Sequence, residues 1–208
     1  MFDPVHYGHL RAAFEVREAL ALERVLLVPA ADPPHRDRPV ASGPARLAML
    51  RAAIGDSPWF EADERELRRG GRSYTVLTLE ELRREHGARP LVLIVGLDAF
   101  LGLPSWHRWE EVLGLAHLAI APRPGTALPP EGPLARLLAA RRDSDPRAFA
   151  AAAAGRIYVN EGTQLDVAST GLRATLEDGR DPRYLMPEAV RRMILETGIY
   201  ARRGESTE

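Results

Sequence analysis

Two histidines three residues apart open this 208-residue chain, in the string Met1-Phe2-Asp3-Pro4-Val5-His6-Tyr7-Gly8-His9-Leu10. Positions i and i+3 of a helix share a face, so at a helix start both imidazoles would point the same way. The first turn of a helix also presents unpaired N–H groups and the positive end of its dipole, and an anion fits there. Gly8 has no Cβ, which would let a bulky planar group come up to the backbone between the two rings. The residues therefore suit a nucleotide triphosphate. The competing readings are a chance pair and half of a zinc site; no third ligand of Cys or acidic type follows at metalloenzyme spacing, and no protein metal site is expected.

A second string with chemical potential is Asp-Val-Ala-Ser-Thr-Gly-Leu-Arg at 166–173. It places the hydroxyls of Ser169 and Thr170 at a helix start, where they could equally be plain caps. Arg173 adds a planar fork suited to phosphate oxygens. The chain has no lysine, so all 28 basic residues are arginine and no amine exists for a Schiff base or a P-loop. It has no cysteine either, which excludes disulfides, thiolate nucleophiles and cysteine-held metal, and points to the cytoplasm. With 28 basic against 29 acidic groups the net charge is -1, too weak a field to gather nucleic acid or anionic membrane. No apolar run approaches the roughly 18 residues of a membrane span. Small-molecule partners are expected, without nucleic acid or membrane; the oligomeric state stays open, a homo-oligomer included.

These groups must be positioned by a scaffold, and the hydrophobic pattern supplies one. Short apolar runs at 24–29, 90–96, 117–121 and 157–160 read as strands, with a shorter one near 59–62. Helical stripes lie between them: a segment from about 11 to 22, then Leu47, Leu50 and Ile54, then Leu79 with Leu82, and finally Val190, Met193 and Ile194 behind Pro187. Alternation of this kind predicts an α/β fold with a parallel sheet. A single domain over 1–200 is expected, interrupted by an insertion at about 125–155 that is rich in proline, alanine and arginine and reads as one or two surface helices. Residues 201–208 read as a polar, frayed tail.

Taken whole, Phe-Asp-Pro-x-His-x-Gly-His resembles the signature of the nucleotidyltransferase superfamily named for its histidine–glycine–histidine motif, and the 169–173 string resembles its Ser-Thr-x-x-Arg motif. Three further segments narrow the resemblance to bacterial nicotinate-nucleotide adenylyltransferase, from Phe2 to Tyr200. They are the proline-rich loop at 29–36, the string Ser73-Tyr74-Thr75 opening a helix, and Gly96-Leu97-Asp98 at a strand end followed by Trp106-His107-Arg108-Trp109. The resemblance implies a Rossmann-like doubly wound sheet and adenylyl transfer from ATP to nicotinate mononucleotide, giving deamido-NAD and pyrophosphate. It implies His6, His9 and Arg173 as catalytic groups, with Phe2, Gly8, Gly96, Asp98, Ser169 and Thr170 beside them on ATP. Tyr74, Thr75, Trp106 and Arg123 fall to the nicotinate nucleotide, Trp106 stacking on the pyridine ring and Trp109 staying in the core. Mg²⁺ is expected on the ATP phosphates. Family members start about ten residues earlier, with a first strand and a glycine-rich turn, so the first strand of the sheet is expected to be missing here and an upstream translation start is anticipated. The alternatives are a relative preferring nicotinamide mononucleotide, a pantetheine-phosphate adenylyltransferase, a non-catalytic nucleotide-binding module, and a tRNA-binding domain.

Overall fold

A computed structural model describes residues 1–34 and 38–202. In chain order the elements are helix α1 (Tyr7–Ala19), strand β1 (Val25–Leu27), α2 (Gly43–Ile54), β2 (Phe60–Ala62), α3 (Arg65–Arg69), α4 (Thr75–His86), β3 (Val92–Gly96), α5 (Leu97–Leu101), α6 (Val112–Leu115), β4 (His117–Ala121), α7 (Gly132–Arg141), α8 (Pro146–Ala150), β5 (Ile157–Val159), α9 (Ser169–Glu177) and α10 (Glu188–Thr197). Two 3₁₀ turns, Leu103–Ser105 and Trp109–Glu111, lie between α5 and α6. The chain divides into two compact units. Unit 1 holds the described residues of Met1–Leu10, Leu26–Gly71 and Val167–Glu208; unit 2 holds Arg11–Val25 and Arg72–Asp166.

Unit 2 is built on a parallel sheet ordered β3-β4-β5, in register from Val92 beside His117 to Gly96 beside Ala121, and from Leu118 beside Ile157 to Ile120 beside Val159. All five residues of β4 are buried, as a central parallel strand covered on both faces requires. β3 reads as equally apolar, yet it is only half-buried because it lies at the edge of this sheet. Side chains alternate across the pleat: Leu118 and Ile120 join Leu97 and Phe100 of α5 and Leu134 and Leu138 of α7, whereas Ala119 meets Val16 of α1 and Phe149 of α8.

The expected insertion contains two helices, α7 and α8, which lie on the surface with one face outward and are anchored to the core by Leu134, Leu138 and Phe149. The alanine run from Ala150 to Ala154 leaves the helix at its first residue despite alanine's high helix propensity. Tertiary bonds capture its carbonyls instead: Ala152 O accepts from His117 Nε2 at 2.9 Å and Ala153 O from Arg83 Nη2 at 2.8 Å.

Unit 1 pairs β1 with β2 and packs α2 against β2 and α10. Ser42 caps α2, its Oγ accepting from Ala45 N at 3.3 Å, and Pro44 occupies the first turn, where no N–H is needed. Pro187 stands at the cap position of α10, and Val190 and Ile194 turn inward from that helix. The front helix differs from the periodicity-based expectation: α1 starts at Tyr7 rather than near 11, and ends at Ala19 rather than 22. The His6 carbonyl already accepts from His9 N at 3.0 Å and Leu10 N at 3.3 Å, so the helix begins inside the motif.

Candidate active site

Within unit 1 the start of α1 brings the two histidines face to face. Their rings stack at a centroid distance of 3.8 Å with 28° between planes, and Phe2 meets His9 edge-on at 5.0 Å. His6 is 1% exposed, whereas His9 remains partly open. Gly8 is required by close approach: a Cβ there would lie 3.0 Å from the His6 ring and 3.2 Å from Val167 O. The space beside Gly8 thus admits the His6 ring and a backbone carbonyl.

The 166–173 string lies in the same unit, and Ser169 and Thr170 are not its caps. The cap position of α9 belongs to Ala168, which has no side-chain cap bond; Ser169 is the first helical residue and donates from Oγ to Pro4 O at 2.9 Å. Arg173 Nη1 donates to Asp3 O at 2.8 Å and lies 3.8 Å from Asp3 Oδ2, keeping a side-chain exposure of 21%. Thr170 is exposed on the first turn of α9. The two strings are therefore tied to each other through Pro4 and Asp3, which bring Ser169, Arg173 and the histidine-bearing segment together.

Asp3 is the residue that spacing does not single out. It is 1% exposed and accepts from Val40 N at 2.8 Å, Ala41 N at 3.0 Å and Tyr200 Oη at 2.7 Å. Burial drives the Tyr200 phenol well above its ordinary range, and the bond to Asp3 adds to that. Arg46, also 1% exposed, donates from Nε to Ala41 O at 3.1 Å and from Nη1 to Met1 O at 3.2 Å. Burial draws the Arg46 guanidinium below the usual arginine value, and the charges of Asp3 and Glu66 oppose that. The network gives each buried charge several partners, which is what makes burying them tolerable. The one signal for Asp3 in the sequence is its position inside the front string, between Phe2 and Pro4.

The remaining candidates lie in unit 2. Gly96 ends β3 and caps α5, so Asp98 is exposed in the first turn beyond the carboxyl end of a parallel strand, where ligands of open α/β sheets gather. Tyr74 stands at the cap position of α4 with no side-chain cap bond, Thr75 is its first residue, and the Tyr74 ring lies 4.4 Å from that of His107. Trp106 and Trp109 both pack, half-buried, against the core cluster of Leu97 and Phe100, so burial does not separate them as the sequence reading does. Arg123 lies in a closed turn, its N donating to Thr126 Oγ1 at 3.0 Å, and its guanidinium forms no ion pair among the described residues. Of the proline-rich loop at 29–36, His35 and Arg36 lie outside the described residues, as does the tail from 203. Among the described residues no three His, Cys, Asp or Glu side chains cluster to hold a metal ion, and no helix is long and apolar enough to cross a membrane.

The chain is similar to known proteins over nearly its whole length. The family model described as cytidylyltransferase-like matches residues 1–174. A protein of Methylococcus capsulatus named "probable nicotinate-nucleotide adenylyltransferase" is 48% identical over 202 residues, spanning 97% of this chain and 96% of its own length. One of the same name from Halorhodospira halophila is 48% identical over 201 residues, spanning 96% and 91%. In fold, the chain is similar to the Plasmodium falciparum nicotinic acid mononucleotide adenylyltransferase solved with NaAD, with a TM-score of 0.69 at 15% identity, covering 96% of this chain and 93% of that one.

Proposed function

This chain belongs to the cytidylyltransferase-like family and, within it, to the nicotinate-nucleotide adenylyltransferases, and we propose that its two charged strings carry the triphosphate of ATP through that reaction. A phosphate oxygen of nicotinate mononucleotide attacks the α-phosphorus of ATP. A new phosphoanhydride bond forms, the α–β bond breaks, and pyrophosphate leaves with the electron pair, giving deamido-NAD. The nucleophile is already anionic at neutral pH, so the protein supplies alignment and charge stabilisation and no general base is called for.

The observation that carries this reading is the stacked His6–His9 pair in the same unit as the exposed first turn of α9 and the partly open Arg173. His9, the more open of the two rings, donates toward the α-phosphoryl, where charge develops; His6 sets its plane by stacking. Arg173, with Ser169 and Thr170 beside it, takes the β- and γ-phosphates that depart, and Phe2 and Gly8 shape the approach. Gly96 and Asp98 serve the ATP ribose, while Tyr74, Thr75, Trp106 and Arg123 serve the nicotinate nucleotide. Mg²⁺ suits the phosphate oxygens themselves, since this ion retains waters and needs no protein cage. A chain without cysteine suits the reducing cytoplasm.

Pyrophosphate release with ATP and Mg²⁺, comparing nicotinate with nicotinamide mononucleotide, tests the reading. Turnover strongly favouring nicotinate supports it. Equal use of both overturns the specificity, and nucleotide binding without pyrophosphate release overturns the catalysis.

A further inference from the structure

Inside unit 2, a single carboxylate gathers a set of donors. Glu15 lies on α1, two turns beyond the histidine motif, and its side chain is 10% exposed. It accepts from Arg11 Nε at 2.7 Å, Thr163 N at 3.0 Å and Asn160 Nδ2 at 3.1 Å. Burial works against the charged form, but the bonds from Thr163, Asn160 and Arg11 outweigh it and hold the carboxyl below its ordinary value. Asn160 is itself anchored: it follows β5 and donates its N–H to Ile120 O of β4 at 2.8 Å. Between Asn160 and Thr163, Gly162 has no room for a side chain, because a Cβ would run into Glu15 Oε2 and lie 3.2 Å from Asn160 Oδ1. The chain at 160–163 is therefore wrapped around this one carboxylate. Six residues after Thr163, with no regular structure between, it becomes Ser169 and α9.

We infer that Glu15 is a positioning residue for adenylyl transfer, clasping the segment after β5 so that Ser169 and Arg173 are delivered in fixed register with the helix that carries His9. The inference rests on the assignment of Ser169 and Arg173 to the triphosphate. Two properties separate it from simple packing. The carboxylate bonds backbone and side chain of a loop rather than filling a core, and the helix it sits on is the same one whose first turn bears His9.

Three variants test it: Glu15→Ala removes the clasp, Glu15→Gln keeps its shape and part of its accepting capacity, and Gly162→Ala pushes the loop off an intact Glu15. Equilibrium binding of ATP with Mg²⁺ is measured by calorimetry for each, with nicotinate mononucleotide as the control ligand and wild-type pyrophosphate release run alongside. Loss of this hydrogen-bonded set should weaken ATP about tenfold in Glu15→Ala and Gly162→Ala, with Glu15→Gln intermediate and nicotinate mononucleotide within about twofold of wild type. Equal weakening of both ligands, or unchanged ATP binding in Gly162→Ala, overturns the inference. A wild-type protein that binds ATP but releases no pyrophosphate overturns the functional assignment instead, and the binding comparison still decides the role of Glu15.

Discussion

The two units bury their polar groups in opposite ways. Among the described residues, the buried polar ones in unit 1 are Asp3, His6, Arg46, Glu66 and Arg191, four of them formally charged; in unit 2 they are Thr78, His117 and Asn160, none carrying a fixed charge. Burying a charge costs several kcal/mol unless partners replace its water, and unit 1 supplies them densely. The Asp3 carboxylate accepts three hydrogen bonds, and Arg191 is held by Asp181 at 2.6 Å through both Nε and Nη2 and by Glu188 at 2.9 Å. Unit 2 relies on apolar packing across a parallel sheet, with its buried histidine neutral between two backbone groups. The difference separates two tasks. The sheet of unit 2 is obtained chiefly from apolar surface, whereas the proposed phosphate-binding residues of unit 1 ride on segments held by buried charge.

If this contrast is right, the largest effect should come from cutting the unit 1 network at its hub. Asp3→Ala leaves Val40 N, Ala41 N and the Tyr200 hydroxyl without their acceptor and the Arg46 guanidinium without a nearby opposite charge, and should destabilise by about 3–5 kcal/mol in urea unfolding. Asp3→Asn, which keeps an oxygen, should lose clearly less. A loss in Asp3→Ala no bigger than for a surface site would dissolve the contrast.

Next in size is the role proposed for His9. His9→Ala should lower kcat by about 10²–10³-fold, as for loss of one donor to a developing charge, while KM for nicotinate mononucleotide moves little. Comparable changes in both constants, measured by pyrophosphate release, would remove His9 from that role.

The pH dependence sharpens the contrast from the unit 2 side. His117 Nδ1 accepts from Arg156 N at 3.1 Å while Nε2 donates to Ala152 O, and burial, joined by the charges of Arg156 and Arg83, holds this imidazole below its ordinary value. The unfolded chain therefore takes up the proton first. Stability is fully present above about pH 6.5 and falls, by at most about 1.4 kcal/mol per pH unit, as the pH drops toward the lowered folded value. His117→Gln should flatten that slope in unfolding curves recorded from pH 7 to 5; an unchanged slope would show that His117 does not set it. The smallest effect belongs to the sheet itself, where Ile120→Val should cost about 0.5–1.5 kcal/mol of stability with kcat and both KM values intact.

Much of unit 2 was readable in advance. Every strand expected from a branched apolar run is present within a few residues, because the period and composition of a buried parallel strand are local properties. What escaped the pattern was decided by partners distant in the chain. The alanine run should continue a helix on propensity, but His117 and Arg83 take its carbonyls. The histidine motif was visible as spacing, and so was the Ser169–Arg173 string, yet Asp3, Arg46 and Tyr200 were not. Their meaning lies mainly in bonds such as those from Val40 and Tyr200 to Asp3, which span 37 and 197 positions and which no window along the chain contains.

The sequence alone determined the class of fold, the absence of amine and thiol chemistry, and the two charged strings with their family resemblance, since each of these depends on residue type and short-range spacing. Only the tertiary structure decided that the helix begins at Tyr7, that the histidines stack, that Ser169 bonds Pro4 instead of capping its helix, and that donors distant in the chain converge on the carboxylates of Asp3 and Glu15. The physical reason is that a carboxylate withdrawn from water is stable only where enough donors converge on it, and convergence is a property of the folded chain.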